Sequence, residues 1–269
     1  MIWLLIRAVL PLGLLVSGFL LAERMVIYAF DPRVVDPATL DLALTEERFE
    51  TAKGDEMVIW RAEPDGDKPT ILYLHGNAGN LANRHQRFKI ILSRGYGLVA
   101  PGYPGSSGSE GWPTQAKLID GITDIYLSLT SGQMTGEPVL PVVYGESIGA
   151  AVALHVMAND RLLPAQAVIL EAPFTSLEDV ARDLNSWMQV LTTFLTSRWE
   201  SIEVAPALAA PLLVLHGSED ELIPISQGRA IFEAAASEDK EFYQVDGAGH
   251  LDVWKVTTQR HLFDWLDLH

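Results

Sequence analysis

One stretch of this chain constrains its fold more than any other. From Val142 to Ala151 the sequence reads Val-Val-Tyr-Gly-Glu-Ser-Ile-Gly-Ala-Ala: a β-branched run, a serine between two glycines, then residues that favour a helix. This order predicts a strand that turns sharply into a helix, with Ser147 at the tip of the turn. The glycines two before and two after the serine let the two backbones pass closely. Ser147 is therefore the candidate nucleophile.

Short apolar runs alternate with longer segments of helical periodicity. Strands are predicted at 57–60, 70–74, 97–100, 139–144, 167–170, 212–215 and 241–245, and helices at 81–94, 113–129, 148–159, 226–236 and 251–268. Strands buried on both faces and separated by helices predict an α/β fold with a mostly parallel, doubly covered sheet. The first strand or two, around 49–63, would form an antiparallel edge. The chain has 269 residues, which fits one large domain.

The amino-terminal segment is apolar. Residues 1–22 contain one charged side chain, Arg7, and the apolar residues from Ile2 to Ala22 would span ~30 Å as a helix. This predicts a single-pass membrane anchor over 1–22, a linker over 23–48, and a catalytic domain over 49–269. Because an early apolar segment is a typical export signal, we expect that domain outside the cytoplasm. The alternative is a signal peptide cleaved near Ala22, which would give a secreted protein.

Composition excludes several classes of function. A net charge of −16 argues against nucleic acid as a partner, since binding phosphates requires a basic face. Cysteine is absent, which excludes disulfides, a thiolate nucleophile and Cys-ligated metals. No pair of the seven histidines has the spacing of metal ligands on one helix, so we predict no metal and no cofactor. Structural or surface positions are expected for His85, His155, His216, His261 and His269.

A serine hydroxyl needs a base to become reactive, and the base needs a carboxylate to orient it. Residues 212–224 are a strand followed by an acidic loop that contains Asp220, and residues 246–250 are a glycine-rich loop that ends at His250. The order Ser147, Asp220, His250 therefore predicts a catalytic triad at the carboxyl edge of the sheet. Substitute acids remain open: Glu219, Glu221 and Glu171.

Several motifs, from about Glu50 to the end of the chain, resemble the α/β-hydrolase superfamily. Residues 73–80 (Tyr-Leu-His-Gly-Asn-Ala-Gly-Asn) are similar to the oxyanion loop of membrane-anchored α/β-hydrolase-domain lipid hydrolases and of bacterial serine-aminopeptidase-like hydrolases. Residues 101–108 (Pro-Gly-Tyr-Pro-Gly-Ser-Ser-Gly) resemble the next loop, although relatives carry Arg-Gly-Tyr-Gly where this chain has two prolines. Residues 171–176 resemble the loop that begins the cap.

The resemblance implies an α/β-hydrolase fold with a short helical cap at about 173–206. It also implies an oxyanion hole built from the backbone N–H groups of Asn77 and Ile148, while His75 shapes the loop. The expected activity is that of a serine hydrolase acting on a small-molecule or lipid acyl ester, with thioesters included. Alternatives are a serine peptidase or amidase, a non-catalytic binding module of the same fold, and a reaction that would need a carboxylate in place of Ser147.

The cap region contains apolar residues at helical spacing. They are Leu184, Trp187, Met188, Val190, Leu191, Phe194, Leu195 and Trp199. Two interpretations stay open: these side chains line a groove for an acyl chain or lie against a membrane, or they pack a helix onto the domain.

Overall fold

The computed structural model describes residues 17–19, 21–185, 187, 192–193 and 195–269. Eight strands form one sheet. They are β1 (Thr45–Glu50), β2 (Glu56–Ala62), β3 (Thr70–Leu74), β4 (Gly97–Pro101), β5 (Val142–Glu146), β6 (Ala167–Glu171), β7 (Leu212–Gly217) and β8 (Lys240–Val245). Their order across the sheet is β1-β2-β4-β3-β5-β6-β7-β8.

Five of the seven strand pairings in the sheet are parallel. Strand β2 runs antiparallel to both β1 and β4, and every pairing from β4 to β8 is parallel. The predicted mostly parallel sheet with an antiparallel edge is confirmed. The carboxyl ends of β3, β5, β6, β7 and β8 consequently meet at one edge.

Helices cover both faces of the sheet. They are α1 (His85–Ser93), α2 (Gln115–Thr130), α3 (Ile148–Met157), α4 (Leu177–Leu184), α5 (Ser201–Val204), α6 (Ile225–Ala234) and α7 (Val256–Leu266). Short 3-10 helices occupy Pro37–Leu40, Leu81–Arg84 and Ala205–Ala207. Residues 21–27 are also helical.

Alternate residues of the strands supply two hydrophobic cores. In β3, Leu72 and Leu74 belong to the core under α2, α3 and α6, whereas Ile71 and Tyr73 belong to the core under α1 and α7. Because successive side chains of a strand point to opposite faces, a continuous apolar run serves both layers.

Most boundaries of the predicted elements lie within two residues of the observed ones, and two differ by three residues or more. Strand β5 begins at Val142 rather than at residue 139, because the Val139 N–H donates to the Leu129 carbonyl (3.0 Å) and so belongs to the turn after α2. The last helix begins at Val256 rather than at residue 251. The intervening residues form the loop that follows His250, where Leu251 is exposed.

The segment before β1 packs on the domain. Glu23, in the helix at 21–27, is buried, and its carboxylate accepts hydrogen bonds from Thr196 N (3.0 Å), Thr196 Oγ1 (2.8 Å) and Ser197 N (2.8 Å). Further along, the Gly79 N–H donates to the Ala29 carbonyl at 3.2 Å, and the Asp31 N–H donates to the Gly79 carbonyl at 2.9 Å. These contacts connect residues 23–31 both to the cap region and to the loop after β3.

Most of the predicted anchor, residues 1–16 and 20, lies outside the described residues. Within the part of the chain that the structure describes, no helix is both long enough and apolar enough to cross a bilayer.

The cap region combines exposed and buried apolar side chains. Helix α4 is capped by Ser176, whose hydroxyl accepts from the Asp179 N–H (3.0 Å). Leu184 and Trp187 are exposed, whereas Trp199 is fully buried and donates from its ring N–H to the Tyr28 hydroxyl (3.1 Å). Four of the apolar positions singled out in the sequence lie outside the described residues: Met188, Val190, Leu191 and Phe194.

Candidate active site

The turn between β5 and α3 holds Ser147 in a strained conformation. Its φ is 53° and its ψ is −112°, a region that residues other than glycine rarely adopt. The flanking glycines are required by close approach. A Cβ on Gly145 would lie 2.5 Å from the Gly149 carbonyl oxygen, and a Cβ on Gly149 would lie 2.0 Å from the Leu74 carbonyl oxygen. The Gly-x-Ser-x-Gly pattern thus reflects packing against β3 as well as the turn itself.

Asp220 lies in the loop after β7 and is buried. Its Oδ1 accepts hydrogen bonds from the backbone N–H groups of Leu222 (3.0 Å) and Ile223 (2.8 Å), which fix the carboxylate plane. Burial by itself would raise the pKa of Asp220, but contacts with His216 and His250 and the Ile223 N–H hold that pKa well below its ordinary value. The carboxylate is therefore ionised at neutral pH.

The loop after β8 carries His250 toward Asp220. The Glu219 N–H donates to the Ala248 carbonyl (2.8 Å), which joins this loop to the one after β7. A Cβ on Gly217 would lie 2.3 Å from the Ala248 carbonyl oxygen, so only glycine permits this approach. Gly217 thereby has a role that the sequence pattern did not reveal.

The structure brings the three predicted side chains together. The His250 Nδ1 lies 2.8 Å from the Asp220 Oδ2, and the His250 Nε2 lies 3.1 Å from the Ser147 Oγ. With a neutral imidazole, Nδ1–H donates to the carboxylate, and Nε2 accepts the serine hydroxyl proton. This is the hydrogen-bond geometry that a serine nucleophile, a histidine base and an orienting carboxylate would need.

The alternative acids are not in contact with His250. Glu171, at the end of β6, is buried and pairs with Arg87, with an Nη2–Oε1 distance of 2.9 Å. Glu219 and Glu221 flank Asp220 and are exposed. Asp220 is therefore the carboxylate that hydrogen-bonds to the His250 imidazole.

The loop after β3, residues 75–80, faces the serine. His75 is buried, and its Nδ1–H donates to the Gly76 carbonyl (2.8 Å). Among the described residues, the backbone N–H groups of Asn77 and Ile148 have no hydrogen-bond partner. Both groups are therefore available as donors to a bound molecule.

A pocket of about 370 Å³ opens over these groups. It is lined by Gly76, Asn77, Ala78, Arg84, Glu146, Ser147, Glu219, Glu221, Leu222, Gly249, His250 and Leu251. The pocket thus contains the serine, the histidine and the 75–80 loop, and apolar Leu222 and Leu251 lie beside its acidic side chains.

Sequence reasoning missed a charged pair on the pocket wall. Arg84 donates from Nη2 to the Glu146 Oε1 (2.9 Å) and from Nε to the Glu146 Oε2 (3.2 Å). Burial by itself would raise the pKa of Glu146, but the charges of Arg87 and Arg84 lower it to about 2. Two features of the sequence could have indicated this pair. Glu146 directly precedes the candidate nucleophile, and Arg84 lies in the short helix that follows the 75–80 loop.

His216 lies next to the carboxylate of Asp220. Its imidazole is fully buried, its Nε2–H donates to the Ile223 carbonyl (2.8 Å), and the same nitrogen lies 3.5 Å from the Asp220 Oδ2. A Cβ on Gly228 would lie 2.2 Å from the His216 Nδ1, so Gly228 leaves space for the ring. In the described part of the chain, no three His, Asp or Glu side chains come together as a metal site requires; the absence of a metal stays a prediction.

Comparisons with known proteins agree with this fold. Residues 200–252 match the family model described as serine aminopeptidase, S33. Alpha/beta hydrolase domain-containing protein 17B of Homo sapiens is 31% identical over 206 residues, which cover 76% of this chain and 68% of the human protein. The chain belongs to the α/β-hydrolase superfamily.

Two further similarities lie within this family. Lysophosphatidylserine lipase ABHD12 of Danio rerio is 30% identical over 184 residues, covering 62% of this chain but only 47% of the lipase. The structure of the Pyrococcus furiosus esterase Pf2001 superimposes with a TM-score of 0.71 at 18% identity, covering 88% of this chain and 96% of the esterase. The latter similarity confirms the predicted α/β-hydrolase fold.

Proposed function

We propose that this protein is a serine hydrolase that cleaves carboxylic esters through Ser147, His250 and Asp220. The observation that carries the proposal is the continuous hydrogen-bonded path from the Ser147 hydroxyl through His250 to Asp220, at 3.1 Å and 2.8 Å, inside a pocket. The strained backbone at Ser147 supports it, because such strain concentrates at functional sites.

The proposed reaction begins with acylation of Ser147. The His250 Nε2 takes the proton from the Ser147 Oγ as the oxygen forms a bond to the acyl carbon. The carbonyl oxygen becomes an oxyanion that accepts from the Asn77 and Ile148 N–H groups, and Asp220 stabilises the imidazolium. The bond from carbon to the leaving oxygen then breaks, and His250 protonates the departing alcohol.

Deacylation repeats the sequence with water. His250 removes a proton from a water molecule, whose oxygen attacks the acyl carbon of the acyl-enzyme. The oxyanion that forms in this step accepts hydrogen bonds from the same two N–H groups, those of Asn77 and Ile148. When the bond to the Ser147 Oγ breaks, His250 returns the proton to it and the carboxylic acid leaves.

Lipid esters or acyl thioesters are the substrates that we propose. The match to a lysophosphatidylserine lipase favours lipids, and Leu222 and Leu251 on the pocket wall are apolar and exposed. We also propose that residues 1–22 anchor the chain in a membrane and that 49–269 form the catalytic domain, with the cap at about 173–206. An anchor would raise the local concentration of lipid substrates.

The test is labelling of the full chain by a fluorophosphonate, together with turnover of p-nitrophenyl esters of increasing acyl length. We expect labelling and turnover in the wild type and neither in Ser147→Ala. Ser226→Ala is the control, because Ser226 is an exposed serine at the start of α6 and does not line the pocket. Equal labelling of wild type and Ser147→Ala would rule out the assignment.

A peptidase or amidase is the second candidate. The serine aminopeptidase match favours it, since the matched residues 200–252 include Asp220 and His250. An amide and an ester give the same acyl-enzyme, so the two activities are separated by substrate. Faster turnover of an aminoacyl amide than of any ester or thioester would establish the peptidase. A folded protein that binds acyl esters without any turnover would indicate a non-catalytic module.

A further inference from the structure

Two buried ion pairs lie side by side behind Ser147. Arg84 pairs with Glu146, and Arg87, three residues further along, pairs with Glu171. Exposed side-chain fractions are 10% and 15% in the first pair and 14% and 2% in the second. The Tyr73 hydroxyl donates to the Glu146 Oε2 (2.9 Å) and accepts from the Arg87 Nη1 (3.2 Å), so the pairs share a neighbour. Both pairs join an arginine to a glutamate. Among the described residues, only the Arg84–Glu146 pair hydrogen-bonds to the 75–80 loop, which carries the Asn77 N–H.

Arg84 connects the two segments that carry the oxyanion donors. Its Nε and Nη2 hold both carboxylate oxygens of Glu146, and its Nη1 donates to the Ala78 carbonyl. Ala78 directly follows Asn77, and Glu146 is two residues before Ile148. A guanidinium is planar and its donors are fixed relative to one another, so three occupied donors leave little freedom between the segments.

The same pair packs against the backbone of the 75–80 loop. A Cβ on Gly76 would lie 2.8 Å from the Glu146 Oε1 and 3.2 Å from the Arg84 Nη2. The backbone at Gly76, next to Asn77, therefore packs directly against the ion pair. The hydrogen bonds of Arg87 go instead to Glu171 and Tyr73.

We propose that Arg84 is a positioning residue that fixes the spacing of the Asn77 and Ile148 N–H groups by joining the Ala78 carbonyl to Glu146. This inference rests on the proposed function. Oxyanion donors act on the charge that develops in the transition state, so their misplacement lowers kcat more than it raises KM. A residue that only stabilised the fold would lower the melting temperature without this selective loss.

The experiment compares Arg84→Gln with Arg87→Gln in the full chain. Each variant removes one buried guanidinium from one ion pair. Measured quantities are the melting temperature, kcat and KM for a p-nitrophenyl ester, and the affinity for a trifluoromethyl ketone, which adds to the serine and forms an oxyanion. We expect both variants to melt at lower temperature than wild type.

The kinetic constants separate the two variants. For Arg84→Gln we expect kcat to fall roughly 30-fold or more, with KM changed less than about threefold and ketone affinity reduced in proportion to kcat. For Arg87→Gln we expect kcat within about threefold of wild type. Equal losses of kcat in both variants, or unchanged ketone affinity in Arg84→Gln, would overturn the proposal.

A further variant covers the case in which Arg84→Gln does not fold. Arg84→Lys keeps the charge but has a single nitrogen, which cannot hold both Glu146 oxygens and the Ala78 carbonyl. We expect it to keep more of the melting temperature than of kcat, and wild-type kcat would overturn the proposal. Turnover that requires Ser147 but is insensitive to Arg84 would reject this inference alone, whereas wild-type turnover that survives Ser147→Ala would reject the proposed function and this inference with it.

Discussion

At the scale of single residues, the site combines strain with burial. Ser147 has a positive φ without being glycine, and His75 and Asp220 are buried next to charged neighbours. The strained backbone at Ser147 costs stability, and burial of the His75 imidazole disfavours its protonated form. Substitutions at Ser147 and His75 therefore measure how strain and burial change the free energy of unfolding.

Replacing Ser147 by glycine should stabilise the protein relative to replacing it by alanine. Glycine adopts a φ of 53° without steric cost, whereas alanine at this position remains strained. The free energy of unfolding of Ser147→Gly should therefore be about 1 kcal/mol higher than that of Ser147→Ala. Both variants should lack activity. Denaturant unfolding measures the difference, and Ala150→Gly within α3 is a control that should lose stability. Equal stability of the two Ser147 variants would show that the turn is not strained.

His75 should make stability depend on pH. Burial, followed by the charge of Arg84, lowers its pKa to about 3, while Glu146 acts in the opposite direction. The native imidazole thus stays neutral below pH 6.5, where the unfolded one takes up a proton. Stability is therefore lost as pH falls from about 6.5 towards 3, by up to about 1.4 kcal/mol per pH unit.

The comparison is with His75→Gln, which has no titrating group at this position. The unfolding free energy of wild type minus that of His75→Gln should decrease by roughly 2 kcal/mol between pH 7.5 and pH 5. Other titrating groups contribute to both proteins and cancel. A difference that does not change with pH would mean that His75 is protonated equally in the folded and unfolded chains.

At the scale of elements, the segment before β1 supports the loops of the site. Glu23 joins the helix at 21–27 to residues 196–197, and residues 29–31 pair with Gly79 of the 75–80 loop. Phe30 packs on His75 with 5.3 Å between ring centroids. The amino-terminal segment consequently helps to place the loop that carries the Asn77 N–H.

Glu23→Gln should loosen the cap region. Its Oε1 accepts from two backbone N–H groups and one hydroxyl, and an amide would replace these charge-assisted hydrogen bonds by neutral ones and place an NH₂ donor at the Oε2 position, 3.2 Å from the Thr196 N. We expect a loss of about 1–2 kcal/mol in unfolding free energy and faster hydrogen exchange at Thr196 and Ser197. Glu233→Gln, on the exposed side of α6, is the control. Unchanged exchange at both amides would contradict this role.

At the scale of the whole molecule, the apolar segment and the acidic domain are separate features. Residues 1–22 contain only Arg7, so residues 23–269, with 18 basic and 35 acidic side chains, carry a net charge of −17. A membrane anchor would hold an acidic domain beside the bilayer, whereas a cleaved signal would release it. The two alternatives differ in the mass of the mature chain.

We predict that the full chain stays with membranes after a carbonate wash and keeps the intact mass of residues 1–269. A variant that begins at residue 21 keeps the helix that contains Glu23 and should be recovered without detergent, with the same ester kcat. A mature chain that begins near Glu23 would instead establish the cleaved signal. A soluble, uncleaved full chain would exclude both.

The sequence predicted the architecture because its signals are local. Alternation of apolar runs with helical segments required a parallel, doubly covered sheet, and the glycines at 145 and 149 marked a sharp turn at Ser147. Chain order then assigned Asp220 and His250 to the same sheet edge, where the structure brings them together. Their catalytic roles stay a prediction that Ser147→Ala tests.

Only the tertiary structure determined which charged and polar groups contact one another. Arg84 is 62 residues from Glu146, Arg87 is 84 residues from Glu171, and Glu23 is 173 residues from Thr196. No periodicity encodes such pairs, because a long side chain can reach several partners and the fold selects one through distance and burial. The residues of the candidate site follow from the order of elements along the chain, whereas the buried contacts around that site depend on how those elements pack in three dimensions.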